Sequence, residues 1–282
     1  MNKSKIEWCD MTWNPITGCL HGCRYCYARK LTARFGCDTT LHVENLDTDP
    51  LYKHIKQLES KKGFELLRPC ANLYPFGFAP TLHKYRLNEP QKVKKPQTVF
   101  VGSMADMFGE WVPDEWVREV FRSCLQAPRH RYLFLTKNPS RYYDVMELLF
   151  HLDREYEAGR DFWVGATATN QYQADALNAP DKIVRWVSLE PLQESVDITQ
   201  LLSKRPSWGR ERLIKWIVVG AESGNRKNKI IPKRERIEDI VNACRNASVP
   251  VFLKNNLAKI WGEPLIQEFP WDTQNSKADL RK

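Results

Sequence analysis

The sequence lacks any long run of apolar residues. Of its 282 residues, 42% are hydrophobic and 27% are charged, and no segment approaches the roughly 18 consecutive apolar residues of a membrane-spanning helix. The first residues, Met1 to Trp8, do not contain the apolar region of a signal peptide. These absences predict an unexported, cytoplasmic protein that has no membrane partner.

Internal repeats and low-complexity tracts are also missing, and acidic residues are in deficit. The length suits one globular domain over residues 1–282. The 34 acidic residues against 43 basic ones give a formal charge of +9, which favours a polyanionic partner. Basic residues cluster at 84–95 and 226–236, and ten tryptophans and ten tyrosines are available for stacking. Nucleic acid is therefore a predicted partner.

Eight cysteines without a signal peptide indicate reduced thiols rather than disulfides. Three of them, Cys19, Cys23 and Cys26, have the spacing C-x3-C-x2-C, with Tyr25 before the last. Three thiolates can bind three irons of a 4Fe-4S cube and leave the fourth iron open, which predicts a catalytic cluster. The alternative is that His21 joins the thiols in a structural zinc site of a nucleic-acid-binding module.

Short β-branched or aromatic runs alternate with helical patterns, which predicts a parallel sheet built from βα units. The predicted strands are 98–102, 132–135, 162–165, 183–188, 216–219 and 249–253. Apolar stripes predict helices at 114–126 and 234–247, with Cys124 and Cys244 buried on them. Residues 61–96 are predicted to form an irregular insertion, and the polar residues from about 274 are predicted to fray.

Polar residues follow almost every predicted strand. In a βα barrel the functional residues collect at the carboxyl ends of the strands, so these positions are candidates for the site. They are Ser103 and Asp106, Thr136 and Lys137, Thr167 and Thr169, Glu190, Glu222 and Ser223, and Lys254 and Asn255.

The cysteine motif resembles that of the radical S-adenosylmethionine (SAM) superfamily. Similarity to a phage-encoded, three-cysteine branch of it extends over residues 6–8, 13–19, 103–108, 135–139, 188–191 and 220–224. The segment around Lys137 is also similar to a Thr-Lys-Ser segment of spore photoproduct lyase. The resemblance implies a single-domain α/β fold with a partial or complete (β/α) barrel. A phage-encoded protein would act in the host cytoplasm.

The resemblance also implies cofactors and site residues. A 4Fe-4S cluster would be bound by Cys19, Cys23 and Cys26, and SAM would chelate its open iron. The expected SAM contacts come from Tyr25, Ser103, Asp106, Lys137, Thr167, Thr169 and Glu190, with Asp106 accepting from the amine and Lys137 pairing with the carboxylate. Candidate catalytic residues are Cys9, which could return a hydrogen atom to a product radical, Glu222 and Lys254.

The function implied is hydrogen abstraction from a nucleic-acid base or nucleotide by a 5′-deoxyadenosyl radical. Hypermodification of thymine in phage DNA, by isomerisation or rearrangement, is the expected setting. A repair lyase similar to spore photoproduct lyase is the alternative enzyme. Either enzyme needs an electron donor such as flavodoxin or ferredoxin.

Overall fold

A computed structural model describes residues 1–35, 55–57, 63–69, 74, 76–150, 161–179, 184–205, 212–224 and 226–272. The chain divides into two compact units, Met1–Phe162 and Trp163–Lys282. The single domain over 1–282 stays a prediction, and the polar tail expected from about 274 lies outside the described residues.

Where the structure describes it, the first unit contains two sheets and four helices. Its strands are β1 (Asn2–Lys3), β2 (Met11–Trp13), β3 (Ile16–Thr17), β4 (Ile55–Gln57), β5 (Phe64–Leu66), β6 (Thr81–His83), β7 (Thr98–Val101) and β8 (Arg131–Thr136). Its helices are α1 (Tyr27–Phe35), α2 (Glu89–Lys92), α3 (Asp114–Leu125) and α4 (Arg141–Phe150), with a 3-10 turn at Lys84–Arg86.

Parallel pairing places three strand ends of the first unit at one edge. The strand order is β1-β2-β7-β8, where β1 is antiparallel to β2 and the other pairs are parallel. Trp13 aligns with Val101, and Val101 aligns with Phe134, so β2, β7 and β8 end close together. The small second sheet, in the order β3-β6-β5-β4, carries β3 directly before the cysteine motif.

Helix α3 covers the parallel strands of the first unit. Its apolar stripe is buried as the sequence predicts, over Trp116, Val117, Val120, Phe121 and Cys124. The Phe121 ring stacks on Phe134 of β8, with ring centroids 4.8 Å apart. Burial raises the pKa of the Cys124 thiol well above its usual range, which keeps it an inert apolar group.

In its described residues, the second unit contains four parallel strands with helices between them. The elements are β9 (Phe162–Thr167), whose first residue belongs to the first unit, α5 (Gln171–Ala176), β10 (Trp186–Leu189), α6 (Thr199–Ser203), β11 (Trp216–Val219), α7 (Arg234–Asn246), β12 (Val251–Leu253), a 3-10 turn (Asn255–Leu257) and α8 (Ala258–Trp261). They pair in the order β9-β10-β11-β12. Strands β10, β11 and β12 are buried along their whole length, which is typical of parallel sheets covered on both faces.

The predicted mixed α/β fold with mostly parallel strands is confirmed. All six predicted strands occur, although β10 begins at Trp186, and position 183 lies outside the described residues. The predicted insertion at 61–96 contains β5, β6 and α2 in its described part. The described strand order is open within each unit, so a closed barrel stays a prediction. None of the described helices has the length and apolarity to cross a membrane.

Candidate functional site

The cysteine motif lies at the carboxyl ends of the parallel strands of the first unit. After β2, the Gly102 amide donates to the Trp13 carbonyl at 2.9 Å, and Gly18 forms a parallel bridge with Ala105 in the loop that follows β7. The motif then runs from Cys19 to Cys26 and ends where α1 begins. This is the edge at which α/β proteins assemble their sites.

Gly18 allows the chain to enter the motif beside the second sheet. Its φ of +87° lies in the left-handed region, and a Cβ built on it would stand 2.2 Å from the Ala79 carbonyl oxygen. The next amide, that of Cys19, donates to the Phe78 carbonyl at 3.1 Å. Only glycine fits this close approach of two backbone segments.

The loop after β7 is fastened to the motif by hydrogen bonds. Asn14 Oδ1 accepts from the Ser103 hydroxyl at 3.1 Å and from the Met104 amide at 3.0 Å. The Gly18 amide donates to the Met104 carbonyl at 3.0 Å, and the Tyr27 hydroxyl donates to the Ser103 carbonyl. Ser103, expected to contact SAM, therefore uses its hydroxyl to hold the two loops together.

Cys19, Cys23 and Cys26 are free thiols in one loop, each half-buried. The Arg29 amide donates to Cys26 Sγ at 3.3 Å, so this sulfur occupies the N-cap position of α1. The Arg29 guanidinium donates to the Cys19 carbonyl at 3.1 Å, which ties the two ends of the motif together.

Burial perturbs the Cys19 thiol. Burial is the main cause that raises its pKa to about 12, and negative charge on Asp106, Cys23 and Cys26 acts in the same direction. A hydrogen bond with the backbone of His21 lowers the pKa in part. The thiol is therefore protonated at neutral pH, and a bound metal would have to displace this proton.

Asp106 connects the cysteine motif to the end of β8. Its Oδ1 accepts from the Thr136 hydroxyl at 2.7 Å and the Phe108 amide at 3.1 Å. Its Oδ2 accepts from the Lys137 amide at 2.9 Å and lies 2.7 Å from His21 Nε2. A carboxylate offers about four acceptor positions, so these partners occupy its capacity. Asp106 therefore has a positioning role in the structure, and its predicted contact with a SAM amine stays a prediction.

His21, a ligand of the alternative zinc site, makes contacts that the sequence did not reveal. Because a carboxylate only accepts, the Nε2 facing Asp106 carries the proton in this pair. The ring also packs edge-on against Trp111, with centroids 4.8 Å apart. His21 thereby fixes the middle of the motif to a loop 85 residues away.

Lys137 places a buried cation beside the motif. Its Nζ is buried and has no hydrogen-bond partner among the described residues. It lies 5.4 Å from the centre of the ring of Tyr25, and Tyr25 lies between Cys23 and Cys26 in the sequence. A cation–π contact contributes about 0.5–2 kcal/mol, which compensates only part of the cost of desolvating an ammonium group. The position is therefore suited to an anion.

Cys9 lies away from the motif within the first unit. It precedes β2, and the next residue, Asp10, pairs with the first residue of β7. Its sulfur lies 3.1 Å from Ser4 Oγ. Cys9 is thus at the amino ends of the parallel strands, whereas the other three cysteines follow the carboxyl ends.

In the second unit, polar residues also gather at the strand ends. Glu190, after β10, and Lys254, after β12, form an ion pair at 2.5 Å. Gly220, after β11, leaves room for it, since an added Cβ would lie 3.0 Å from carbon atoms of both side chains. Lys254, a catalytic candidate, and Glu190, an expected SAM contact, are thus paired with each other.

The two predicted threonines differ in their surroundings. Thr167 is the half-buried last residue of β9. Thr169 is buried, and both its amide and its hydroxyl donate to Gln173 Oε1, at 2.7 and 3.0 Å. Since Asn170 caps α5 by accepting from the Gln173 amide, Thr169 belongs to the start of this helix.

Glu222, the third catalytic candidate, is buried and paired. Both of its oxygens accept from the Arg226 guanidinium, at 2.6 and 2.7 Å. Its loop is held by Asn256, whose amide group exchanges two hydrogen bonds with the backbone of Ala221. The sequence singled out Glu222 but gave no indication of Asn256.

Family comparison matches residues 3–268 to a family described as "Protein of unknown function (DUF5131)". The chain belongs to this family. Comparison with curated proteins and with solved structures finds no significant match.

The thiol loop of this DUF5131 protein has the donor chemistry that an iron–sulfur cluster takes. It offers three free thiols at the sequence spacing C-x3-C-x2-C, and the buried Nζ of Lys137, which has no hydrogen-bond partner among the described residues, lies beside Tyr25 of the loop. Among the described residues, including those of this loop, no three His, Cys, Asp or Glu side chains form a group that could hold a single metal ion. Thiolates of a cube each bind a separate iron.

Replacing Asp106 with Asn should loosen this loop. An amide cannot accept at both ends, so at least two charge-assisted hydrogen bonds are lost, and we expect the free energy of unfolding to fall by about 3 kcal/mol. Urea unfolding of the metal-free protein measures this. The matched variant Asp144→Asn changes an exposed carboxylate on α4 and should stay within about 0.5 kcal/mol of the wild type. Equal stabilities of the two variants would contradict the connecting role of Asp106.

Proposed function

We propose that the protein is a radical SAM enzyme that acts on a nucleic-acid base or nucleotide. The observation that carries this proposal is the buried, unpaired ammonium of Lys137 next to a loop of three free thiols. SAM at a cluster with an open iron would present its amine and its carboxylate to the protein, and the carboxylate would need a cation nearby. Lys137 supplies a buried cation at the edge of the sheet where the cysteine motif lies.

Five residues of the first unit then have roles. Cys19, Cys23 and Cys26 would hold the 4Fe-4S cluster, and Lys137 would bind the SAM carboxylate. When bound, the cluster and SAM supply a 5′-deoxyadenosyl radical that abstracts hydrogen from the substrate. Asp106 holds the thiol loop and the backbone of Lys137 in a fixed relative position. The contacts expected from Thr167, Thr169 and Glu190, and a barrel-type closure of the fold, stay predictions.

Apolar side chains near the motif would protect radical chemistry from water. Met104, Met107 and Phe108 are buried in the loop after β7. Met104 packs with Ala28 and Tyr74, and Cys26 and Phe78 contact this group. An apolar wall of this kind excludes water from a reacting centre.

A nucleic-acid substrate is supported by the charge and by an exposed basic segment of the second unit. Lys227, Lys229 and Lys233 are exposed before α7, and Ile230 and Ile231 between them are exposed as well. Thymine hypermodification in phage DNA is the proposed setting. A lesion-repairing lyase shares the first chemical step and differs in its product. A zinc-stabilised binding module remains the non-enzymatic alternative.

Anaerobic reconstitution tests the proposal. The protein should turn brown and contain iron and sulfide near four per chain, the content of one cube. With a reductant, SAM and modified DNA, it should form 5′-deoxyadenosine and change a nucleoside mass. Colourless protein that holds one zinc would establish the binding module instead. A cluster-loaded protein that never forms 5′-deoxyadenosine would refute the radical assignment.

A further inference from the structure

A basic loop lies between β11 and α7 in the second unit. It runs over residues 226–233 and contains four basic residues but no Asp or Glu. Two adjacent isoleucines of the loop, Ile230 and Ile231, are 41% and 62% exposed. Isoleucine is among the residue types most often buried in proteins, so two exposed neighbours in a charged loop indicate a contact surface.

Contacts within the second unit hold the basic loop at both ends. At its start, the Arg226 guanidinium donates to both carboxylate oxygens of Glu222, at 2.6 and 2.7 Å. Near its end, Pro232 is buried, and its ring fixes its own φ and restricts the backbone of the preceding Ile231. Isoleucine is also stiff at χ1, so the loop presents its exposed aliphatic side chains in a defined orientation.

The basic loop offers cations that the fold does not consume. Lys227 and Lys233 are exposed, and neither has a hydrogen-bond or ion-pair partner among the described residues. The exposed Lys229 donates only to the Gly224 carbonyl, at 3.2 Å, and so keeps its charge for a ligand. Nucleic acid presents its phosphates in a row, and spaced lysines are the side chains that neutralise them.

We propose that the basic loop binds double-stranded DNA and inserts Ile231 between two stacked bases. The inference rests on the proposed function and deepens it, because it names a base within a DNA duplex, rather than a free nucleotide, as the substrate. Lys227, Lys229 and Lys233 contact phosphates. Apolar wedges inserted at a base step partially unstack it and bend the duplex. An enzyme that modifies a base must take that base out of the stack, and the wedge assists this step.

The composition of the basic loop favours a duplex over a single strand. Proteins hold single-stranded nucleic acid on aromatic side chains, and the loop contains none. An aliphatic wedge instead acts on bases that are stacked in a duplex. A membrane surface is the other polyanion that lysines and isoleucines could contact. It is bound by amphipathic helices, whereas the loop is not helical.

Binding of a short DNA duplex to the metal-free protein tests the phosphate contacts. Lys227→Gln with Lys233→Gln removes two of them, so we expect the affinity to fall about tenfold at low salt and the slope of log affinity against log salt to become shallower by about two. The control Lys3→Gln with Lys5→Gln makes the same change of net charge at exposed positions of the first unit and should alter neither quantity. Equal losses in the two double variants would overturn the inference.

Unstacking of a fluorescent base tests the wedge. The fluorescence of 2-aminopurine placed beside a thymine in the duplex should rise when the metal-free protein binds, because this base brightens when it leaves the stack. Ile230→Ala with Ile231→Ala should lose most of that rise and keep the salt dependence of binding. Leu67→Ala, which shortens a side chain that is 48% exposed in the first unit, is the matched control and should keep the rise. Ile231→Ala alone provides a second measurement if the double variant does not fold.

Three results would contradict the wedge. They are a fluorescence rise that survives the loss of both isoleucines, tighter binding of a single strand than of the duplex, and binding of anionic lipid vesicles in place of DNA. Because these measurements need no cluster, they separate the inference from the proposed function. A cluster-loaded protein that forms 5′-deoxyadenosine with a free nucleotide, but neither binds nor unstacks the duplex, would overturn the inference alone. Unstacking by a protein that never forms 5′-deoxyadenosine would support the wedge and refute the radical assignment.

Discussion

Replacing Cys23 with Ala should abolish the cluster and the formation of 5′-deoxyadenosine. Cys23 is the middle thiol of the motif and shares its loop with Cys19 and Cys26. A cube held by three thiolates loses one of its iron contacts, so we expect iron and sulfide to fall from about four per chain to below one. Metal and sulfide analysis after anaerobic reconstitution, with the visible spectrum, measures this loss.

Cys9→Ala is the matched control for the Cys23 substitution. It removes the same side chain at the opposite ends of the same strands, where the sulfur contacts Ser4. We expect this variant to keep its cluster and its 5′-deoxyadenosine formation. A Cys23→Ala protein with wild-type iron content and activity would exclude the cysteine motif as the cluster site. Equal losses in both variants would indicate general instability rather than loss of a ligand.

The strands and long helices could be predicted from the sequence because their patterns are strong. Runs such as Trp216–Val219 are apolar throughout, as strands buried on both faces must be. Helix α7 shows its buried residues at helical spacing, and it ends one residue before the predicted position. Strands β5 and β6 escaped prediction because three residues are too few for a pattern to stand out from proline-rich surroundings.

The site was predictable as a set of residue types but not as a set of contacts. The spacing of the cysteines is local, so the sequence contains it. The bond from His21 to Asp106 joins residues 85 positions apart, and no local pattern encodes it. In the same way, the pairing of Glu190 with Lys254 depends on strands β10 and β12 being separated only by β11. The fold therefore gives several of the predicted ligand residues partners within the protein, which the sequence alone does not show.

Replacing Lys137 with Met should separate binding from stability. The ammonium is buried without a hydrogen-bond partner among the described residues, so a residue of similar length without charge removes a desolvation cost. We expect the free energy of unfolding of the SAM-free protein to rise by about 1 kcal/mol. Urea unfolding of the metal-free protein measures this.

The same substitution should weaken SAM binding by about a hundredfold, because the carboxylate loses a buried charge partner worth about 2–5 kcal/mol. Equilibrium binding to the cluster-loaded protein measures this loss, and iron content should be unchanged because Lys137 does not hold the cluster. Lys94→Met, at an exposed position, is the matched control and should change neither quantity. Unchanged SAM affinity in the Lys137 variant would show that the carboxylate binds elsewhere. A fall in stability would show instead that the ammonium already serves the fold. A buried cation that costs stability and strengthens binding is the signature of a site shaped for an anion rather than for the fold.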